Sequence, residues 1–284
     1  MPGAVDTHVH LNHRRLLPKV EDVIARAHAA GVSEMIVVGY DLPSSETALR
    51  LAAEHSGLGA TVGIHPHDAK QADDAALARL RELAAHPRVV GIGETGLDFY
   101  RDLSPREVQM RAFSRHLELA SELGRPVICH CREAEEALLE VLAEWPHVTR
   151  VWHCFEGTAE QAARAVAMGV WISFGGTVTY PDSDWRREFV AETPLERVLL
   201  ETDAPYLAPY PKSGKRARDN EPAYLPLIAE AVAEIKGGTS ESVMAVTAEN
   251  ARGVFGRSVG AGRPDAEQAP GRVRGEEPNV ETLP

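Results

Sequence analysis

Asp6-Thr7-His8-Val9-His10, directly after two apolar residues near the start of the chain, is typical of the carboxyl end of a β-strand. Side chains alternate between the two faces of a strand, so His8 and His10 project to one side and Val9 to the other. Two imidazoles on one face predict a metal site, and ordinary surface or loop histidines are the alternative. The positions of the other histidines and carboxylates along the chain distinguish the two.

Apolar runs typical of strands recur along the chain, and a helical pattern follows each of them. The eight predicted strands are Ala4–His10, Glu34–Gly39, Ala60–His65, Val89–Gly93, Pro126–His130, Arg150–Cys154, Val170–Phe174 and Val198–Thr202. The predicted helices that follow them are Lys19–Ala30, Ser44–His55, Ala72–His86, Pro105–Leu123, Glu133–Glu144, Ala159–Met168, Asp184–Glu192 and Pro222–Lys236. Eight βα units predict an α/β fold, a TIM-like (β/α)8 barrel. An open doubly wound sheet shares this alternation, but no G-x-G-x-x-G follows the first strand.

The length of 284 residues fits a single barrel domain, which we place at residues 1–257. The pattern of Glu241–Phe255 predicts one further amphipathic helix, packed over the exterior or the base of the barrel. Residues 258–284 are rich in Gly, Pro, Glu and Arg and have little periodicity, so we expect a flexible, disordered tail. A tail that binds a partner is the alternative.

The composition favours a soluble globular protein, since 44% of the residues are hydrophobic and 25% are charged. We expect a cytoplasmic location for the following reasons. No apolar run reaches the roughly 18 residues of a membrane span, and no basic stretch with an apolar segment behind it opens the chain. Three cysteines, Cys129, Cys131 and Cys154, are too few for a secreted disulfide framework, so we expect reduced thiols. A zinc-thiolate site built from them is the alternative.

The net charge of −12 argues against general electrostatic capture of nucleic acid, because phosphate binding draws on clustered Lys and Arg. This charge does not exclude a small basic entrance. Metal cations in a pocket would also add positive charge that the side-chain count leaves out.

Side chains of metal-ligand type fall at the carboxyl ends of six predicted strands. They are His8, His10, His65, Glu94, His130, His153 and Asp203. Functional residues of a (β/α)8 barrel gather at this end of the strands, so one cavity would collect them all. Burying so many polar groups without partners would cost several kcal/mol, and a metal is their natural partner.

Even without His65, the four imidazoles and two carboxylates exceed the needs of one tetrahedral ion, which predicts two divalent ions, Zn, Mg or Mn, about 3.5–4 Å apart. Glu94 is the expected bridge, because a carboxylate has two oxygens and the glycine-rich run Gly91–Gly96 leaves room for close approach. Such a pair would generate a hydroxide at neutral pH and stabilise an anionic transition state. Asp203 would bind one ion and act as the general base, although a turn or helix N-cap aspartate is the alternative.

Several stretches, in this order, make the chain similar to the TatD family of metal-dependent hydrolases, within the amidohydrolase superfamily. They are Asp6-Thr7-His8-Val9-His10-Leu11, Gly63-Ile64-His65-Pro66-His67-Asp68, Gly91-Ile92-Gly93-Glu94-Thr95-Gly96-Leu97-Asp98-Phe99-Tyr100, Pro126-Val127-Ile128-Cys129-His130-Cys131-Arg132-Glu133-Ala134, His153-Cys154-Phe155-Glu156-Gly157 and Leu199-Leu200-Glu201-Thr202-Asp203-Ala204-Pro205-Tyr206-Leu207-Ala208-Pro209. The resemblance covers about residues 4–255.

The resemblance implies a TIM-like barrel and a metal-dependent deoxyribonuclease, including 3′ to 5′ exonuclease action on single strands. Some relatives are described as acting on D-aminoacyl-tRNA. The resemblance also implies the two ligand sets, one of His8, His10, Glu94 and Asp203, the other of Glu94, His130 and His153. Cys131 and Glu156 stand where the family usually has serine, and a carboxylate at 156 that faced the site would repel a phosphate.

Substrate contacts are expected from residues at the same rim. His65 would donate a proton to the leaving oxygen or bind a phosphate, and Arg132 would offer a bidentate fork or pair with Glu133 or Glu136 instead. A basic cluster, which would guide a phosphate backbone or simply be solvated, contains Lys212, Lys215, Arg216 and Arg218. The aromatic residues that would stack bases or serve as packing anchors are Phe99, Tyr206 and Tyr210.

The predicted function is therefore hydrolysis of DNA, or of another phosphodiester bound transiently, with no membrane and no obligate protein partner. An esterase, lactonase or amidase acting on a small molecule is one alternative, because the same hydroxide attacks a carbonyl carbon. A metal-binding or partner-binding scaffold without catalysis is another.

Overall fold

A computed structural model describes residues 3–181, 184–211 and 220–256. Within these residues, eight parallel strands form one sheet in chain order. They are β1 (Ala4–Val9), β2 (Val32–Val38), β3 (Leu58–Val62), β4 (Val89–Asp98), β5 (Val127–Arg132), β6 (Arg150–Trp152), β7 (Trp171–Phe174) and β8 (Val198–Leu200). The predicted barrel is confirmed. The predicted tail, 258–284, and the predicted domain end at 257 lie outside the described residues.

Helices follow the strands and cover the outside of the barrel. They are α1 (Val20–Ala29), α2 (Leu42–Glu54), α3 (Asp74–Ala84), α4 (Arg106–Leu123), α5 (Glu135–Ala143), α6 (Ala159–Ala167), α7 (Asp184–Glu192), α8 (Leu225–Lys236) and α9 (Ser240–Phe255). Side-chain caps define several starts, as where Asp73 accepts from the backbone N–H of Ala76 at 2.8 Å. In the described parts of the chain, no helix is long and apolar enough to cross a membrane.

Strand β4 continues five residues beyond its predicted end at Gly93, through Asp98. The extension forms because Thr95 to Asp98 pair in parallel with Cys129 to Arg132 of β5. Gly96 makes this pairing possible, since its φ is +137° and a Cβ there would lie 2.1 Å from the carbonyl oxygen of His130. Strand β4 therefore carries polar side chains to the end of the barrel at which the carboxyl ends of the strands lie.

The barrel closes between β1 and β8 largely through polar contacts. The Asp6 carboxylate accepts from the backbone N–H of Thr202 at 3.0 Å and from its hydroxyl at 2.6 Å. The backbone N–H of Asp203 donates to the carbonyl of His8 at 2.9 Å, and that of His10 donates to Ala204 at 2.8 Å. The residues that close the ring thus flank the predicted metal ligands.

Helix α9 closes the opposite end of the barrel. Its residues Ala248, Ala251 and Phe255 form one apolar cluster with side chains from inside the barrel. The interior members of this cluster are Val5, Ile36, Val38, Val90, Ile128, Val151 and Leu199. Of the two positions predicted for this helix, the structure shows the base, and a polar site can form only at the other end.

A buried histidine joins α4 to the end of β3. His116 is fully buried, its Nδ1 donates to the carbonyl of Ala112 at 2.7 Å, and its Nε2 accepts from the backbone N–H of Ile64 at 3.1 Å. Burial lowers the pKa of His116 to about 4. The native state therefore holds a neutral imidazole here.

We expect this histidine to make folding sensitive to acid. Because the native pKa lies below the ordinary 6.5, the unfolded chain binds the proton first. The free energy of unfolding should fall as the pH drops from about 6.5 to about 4, by about 3 kcal/mol from this group. In urea titrations across this range, His116→Gln should lose that part of the pH dependence. Equal pH dependence in both proteins would contradict the assignment.

Candidate metal centre

The seven residues predicted to share one cavity lie together at the carboxyl end of the barrel. His8 comes from β1, Glu94 from β4 and His130 from β5, and His10, His65, His153 and Asp203 follow β1, β3, β6 and β8. The cavity at this end of the barrel has a volume of about 690 Å³. Its lining includes six of the seven, His10, His65, Glu94, His130, His153 and Asp203, and His8 is buried beneath.

One oxygen of Glu94 faces the residues of β1 and β8. Its Oε2 lies 3.4 Å from Nε2 of His8 and 3.7 Å from Nε2 of His10. These two nitrogens are 3.2 Å apart, and Oδ1 of Asp203 lies 3.3 Å from that of His10. Two nitrogens and two carboxylates therefore converge on one point.

The other oxygen of Glu94 faces the residues of β5 and β6. Its Oε1 lies 2.9 Å from Nδ1 of His130 and 3.0 Å from Nε2 of His153. Nε2 of His65 is 3.4 Å from the same oxygen. Glu94 thus stands between two groups of imidazoles with one oxygen turned to each.

The hydrogen bonds on the far side of the ligand rings fit metal binding. Nδ1 of His10 lies 3.2 Å from the carbonyl of Val38, so it carries the proton and leaves a lone pair on Nε2. Nδ1 of His153 lies 3.3 Å from Oε1 of Glu201 in the same manner. Carboxylate or carbonyl acceptors behind the ring are the usual support of metal-binding histidines. The donor set therefore suits divalent cations.

The charges of the two carboxylates are set by the imidazoles around them. Burial by itself raises the pKa of Glu94, but His153 and His65 outweigh it and hold that pKa well below its ordinary value. Burial acts in the same way on Asp203, where the hydrogen bond with His10 lowers the pKa. Both side chains are therefore anions at neutral pH.

His65 has a different environment from the other rings. Its Nδ1 accepts from the backbone N–H of His67 at 3.2 Å, so its Nε2 carries the proton and points toward Glu94. Burial and the neighbouring His130 lower the pKa of His65 to about 4. A neutral hydrogen-bond donor therefore sits at the edge of the ligand groups.

Sequence reasoning missed two carboxylates that support ligand rings. Asp98 lies with Oδ2 at 3.4 Å from Nε2 of His130 and at 2.6 Å from Nε2 of His67. Glu201 supports His153 and is fully buried. The alternation of β4 offered a signal for Asp98, since it is four residues from Glu94 and faces the same side of a strand. Glu201 stands two residues before Asp203 at the end of the predicted strand 198–202, so the same alternation offered a signal for it.

Arg132 and Tyr206 lie at the rim of the cavity, as expected. The guanidinium of Arg132 lies 3.9 Å from the ring centre of Tyr100, which is 53% exposed. The alternative partner Glu136 pairs instead with Arg164 at 2.8 Å. The Tyr206 ring is 44% exposed and lies 5.9 Å from the ring of His10. Of the predicted basic cluster, Lys212, Lys215, Arg216 and Arg218 lie outside the described residues.

The two positions that depart from the family pattern both line the cavity. Glu156 faces it, and the guanidinium of Arg186 lies 2.9 Å from its carboxylate, which offsets the charge. Cys131 is a free thiol whose pKa is raised well above its ordinary value by burial. The ligand groups close enough to share an ion contain no cysteine among the described residues, so the zinc-thiolate alternative has no support there.

Comparisons with known proteins identify the family of this chain. The family described as TatD related DNase matches residues 5–256. An uncharacterized metal-dependent hydrolase, YabD of Bacillus subtilis, is 41% identical over 252 residues, covering 88% of this chain and 98% of the relative. The 3′-5′ ssDNA/RNA exonuclease TatD of Escherichia coli K12 is 39% identical over 255 residues, with 88% and 98% covered.

A solved structure agrees as well. The crystal structure of YJJV, a TatD homologue from Escherichia coli K12, superposes with a TM-score of 0.83 at 30% identity. The superposition covers 89% of this chain and 97% of that one. Sequence, fold and the grouping of histidines and carboxylates together show that the chain belongs to the TatD family of metal-dependent hydrolases.

Proposed function

We propose that this protein hydrolyses phosphodiester bonds of DNA with two divalent ions, as a 3′ to 5′ exonuclease on single strands. The observation that carries the proposal is the position of Glu94, whose two oxygens face two separate groups of imidazoles. Such a bridging carboxylate is typical of binuclear hydrolytic sites. A relative 39% identical to this chain is named for exonuclease action on single-stranded DNA and RNA.

The two ions would be held by the two groups of side chains around Glu94. His8, His10, Asp203 and Oε2 of Glu94 would hold one. His130, His153 and Oε1 of Glu94 would hold the other. The imidazoles favour zinc, and the carboxylates also admit Mg²⁺ or Mn²⁺.

Two divalent ions bound here would lower the pKa of water and stabilise negative charge on the attacking and leaving oxygens. Asp203 is an anion at the edge of the cavity, and its carboxylate accepts the proton of the attacking water as general base. His65 presents its Nε2–H to the same space and donates a hydrogen bond to a phosphate or leaving oxygen.

Exposed aromatic and arginine side chains at the rim support a single-stranded substrate. The Arg132–Tyr100 stack offers a cation for a phosphate and a ring for a base. In the loops that follow β1 and β8, the guanidinium of Arg15 lies 5.2 Å from the ring centre of Tyr206. Lys215 and Arg216 remain predicted phosphate contacts, and a cytoplasmic location remains a prediction from the sequence.

The proposed activity requires the carboxylates of Glu94 and Asp203. Glu94→Ala should lower kcat/KM on single-stranded DNA by at least about 10³-fold, and Asp203→Asn by about 10²–10⁴-fold. Release of nucleotides from an end-labelled strand with Mg²⁺, Mn²⁺ or Zn²⁺ measures both. Glu140→Ala, at an exposed position on α5, serves as the control.

Two outcomes of that experiment would contradict the proposal. Nuclease activity that survived in both variants would belong to a contaminant. Turnover of carboxyl p-nitrophenyl esters or D-aminoacyl-tRNA, without any on p-nitrophenyl phosphodiesters or DNA, would instead identify one of the alternative substrates.

The number of bound metal ions tests whether the two ligand groups are separate. His10→Ala removes a ligand from one group only, so the bound metal should fall from about two to about one ion per chain. Elemental analysis of protein purified without chelator or affinity tag measures the ratio. His28→Ala, an exposed histidine on α1, should leave the ratio unchanged. Loss of both ions from His10→Ala would show that the two positions are not separable.

The exposed ring of Tyr100 would stack on a base of the substrate. Tyr100→Ala should raise KM for single-stranded DNA about 10-fold, because stacking on an aromatic ring contributes about 1–3 kcal/mol per base. Tyr100→Phe keeps the ring and should behave like the wild type. Steady-state kinetics at fixed salt measure this effect, and KM for a p-nitrophenyl phosphodiester serves as reference. A parallel rise in that reference KM would point to a disturbed site rather than lost stacking.

A further inference from the structure

Glu201 lies behind the metal centre rather than in it. It follows β8 directly, is fully buried, and turns Oε1 toward Nδ1 of His153 at 3.3 Å. The opposite nitrogen of that ring, Nε2, points to Glu94. Glu201 therefore acts on the ring from the side away from the cavity.

His8 presents its unused nitrogen in the same region. The His8 and His153 rings stack with their centres 4.0 Å apart and their planes 18° apart. Nε2 of His8 faces Glu94 and Asp203, which leaves Nδ1 on the far side. A ligand atom from each of His8, His153 and Glu201 lies within 4.8 Å of the other two.

Two buried polar atoms in this region have no hydrogen-bond partner among the described residues. They are Nδ1 of His8 and Oε2 of Glu201. An unpaired buried donor or acceptor costs about 1–3 kcal/mol, and these two atoms belong to residues of one cluster. A small adjustment of the carboxylate would let its two oxygens accept from two imidazoles at once.

We propose that Glu201 is a positioning residue for both metal positions. One of its oxygens accepts a hydrogen bond from Nδ1–H of His8, and the other accepts one from Nδ1–H of His153. The proposal rests on the binuclear centre proposed above. His8 belongs to one ligand group and His153 to the other, so one carboxylate fixes the tautomer and orientation of a ring in each. Glu201 thereby couples the two metal positions from behind the ligand rings, and Glu94 joins them on the cavity side.

A third metal site at His8, His153 and Glu201 is the competing explanation of this cluster. A neutral imidazole has one nitrogen lone pair, and in both rings Nε2 is directed at the main centre. An ion at the Nδ1 side would have to displace the proton that makes Nε2 a ligand. The positioning role requires no such displacement.

The experiment measures zinc retention, with Zn²⁺ alone as the probe and no nucleic acid present. Full-length protein loaded with zinc is titrated against chelator buffers of defined free zinc. Glu201→Met keeps the length of the side chain but removes both acceptors, and it should weaken both bound zinc ions by about 10–100-fold. Glu201→Gln keeps one acceptor oxygen, so it should weaken one ion more than the other.

Asp98→Asn is the matched control, because among the six proposed metal ligands Asp98 contacts His130, which belongs to one ligand group only. It should weaken one ion and leave the other as in the wild type. A Glu201→Met protein that lost affinity at only one position, or at neither, would overturn the proposal. Binding of a third zinc ion by the wild type, lost in Glu201→Met, would establish the competing site instead.

A measurement on the wild type covers the case in which Glu201→Met does not fold. In protein labelled with ¹⁵N-histidine and loaded with zinc, His8 and His153 should both show a protonated Nδ1 that exchanges slowly with water. A rapidly exchanging Nδ1 proton on His8 would overturn the shared contact. Because these readouts involve no substrate, they stand even if DNA is not the substrate.

Discussion

Closure of the barrel between β1 and β8 is the constraint on which the rest of this molecule depends. The Asp6 carboxylate holds Thr202 by its backbone and its hydroxyl, and it also lies 3.3 Å from the backbone N–H of His8. Burial raises the pKa of Asp6 to about 7, so the closure uses a carboxyl group under strong desolvation. The same contact brings His8 beside Asp203, although most of the sequence lies between these two residues.

The centre is organised by the protein before any ion is considered. The Val38 carbonyl and Glu201 lie within hydrogen-bond distance of the outer nitrogens of His10 and His153, and Asp98 lies 3.4 Å from Nε2 of His130. They fix which nitrogen of each imidazole is free, and they do so with groups that are themselves hydrogen-bonded or buried. An ion that binds there meets donors already turned toward it, so little conformational entropy is lost on binding.

The order of the strands and the position of the ligand-type residues near their carboxyl ends could be predicted from sequence, because apolar runs and the histidines that follow them are local signals. The partners of the ligands could not, since they arise from the tertiary arrangement. Arg132 stacks on Tyr100 rather than pairing with Glu133 or Glu136, and Arg186 neutralises Glu156 from 30 residues away. The length of β4 escaped prediction because its polar and glycine residues form a strand only against β5.

Gly96 shows how a residue that binds nothing can limit the variation open to this enzyme. Its Cα faces the backbone of His130 so closely that any side chain would push β5 away from β4. That displacement would separate the carboxylate of Glu94 from the imidazole of His130, and one half of the centre would open. Backbone geometry thus excludes a side chain at position 96, although this residue contributes no atom to the cavity.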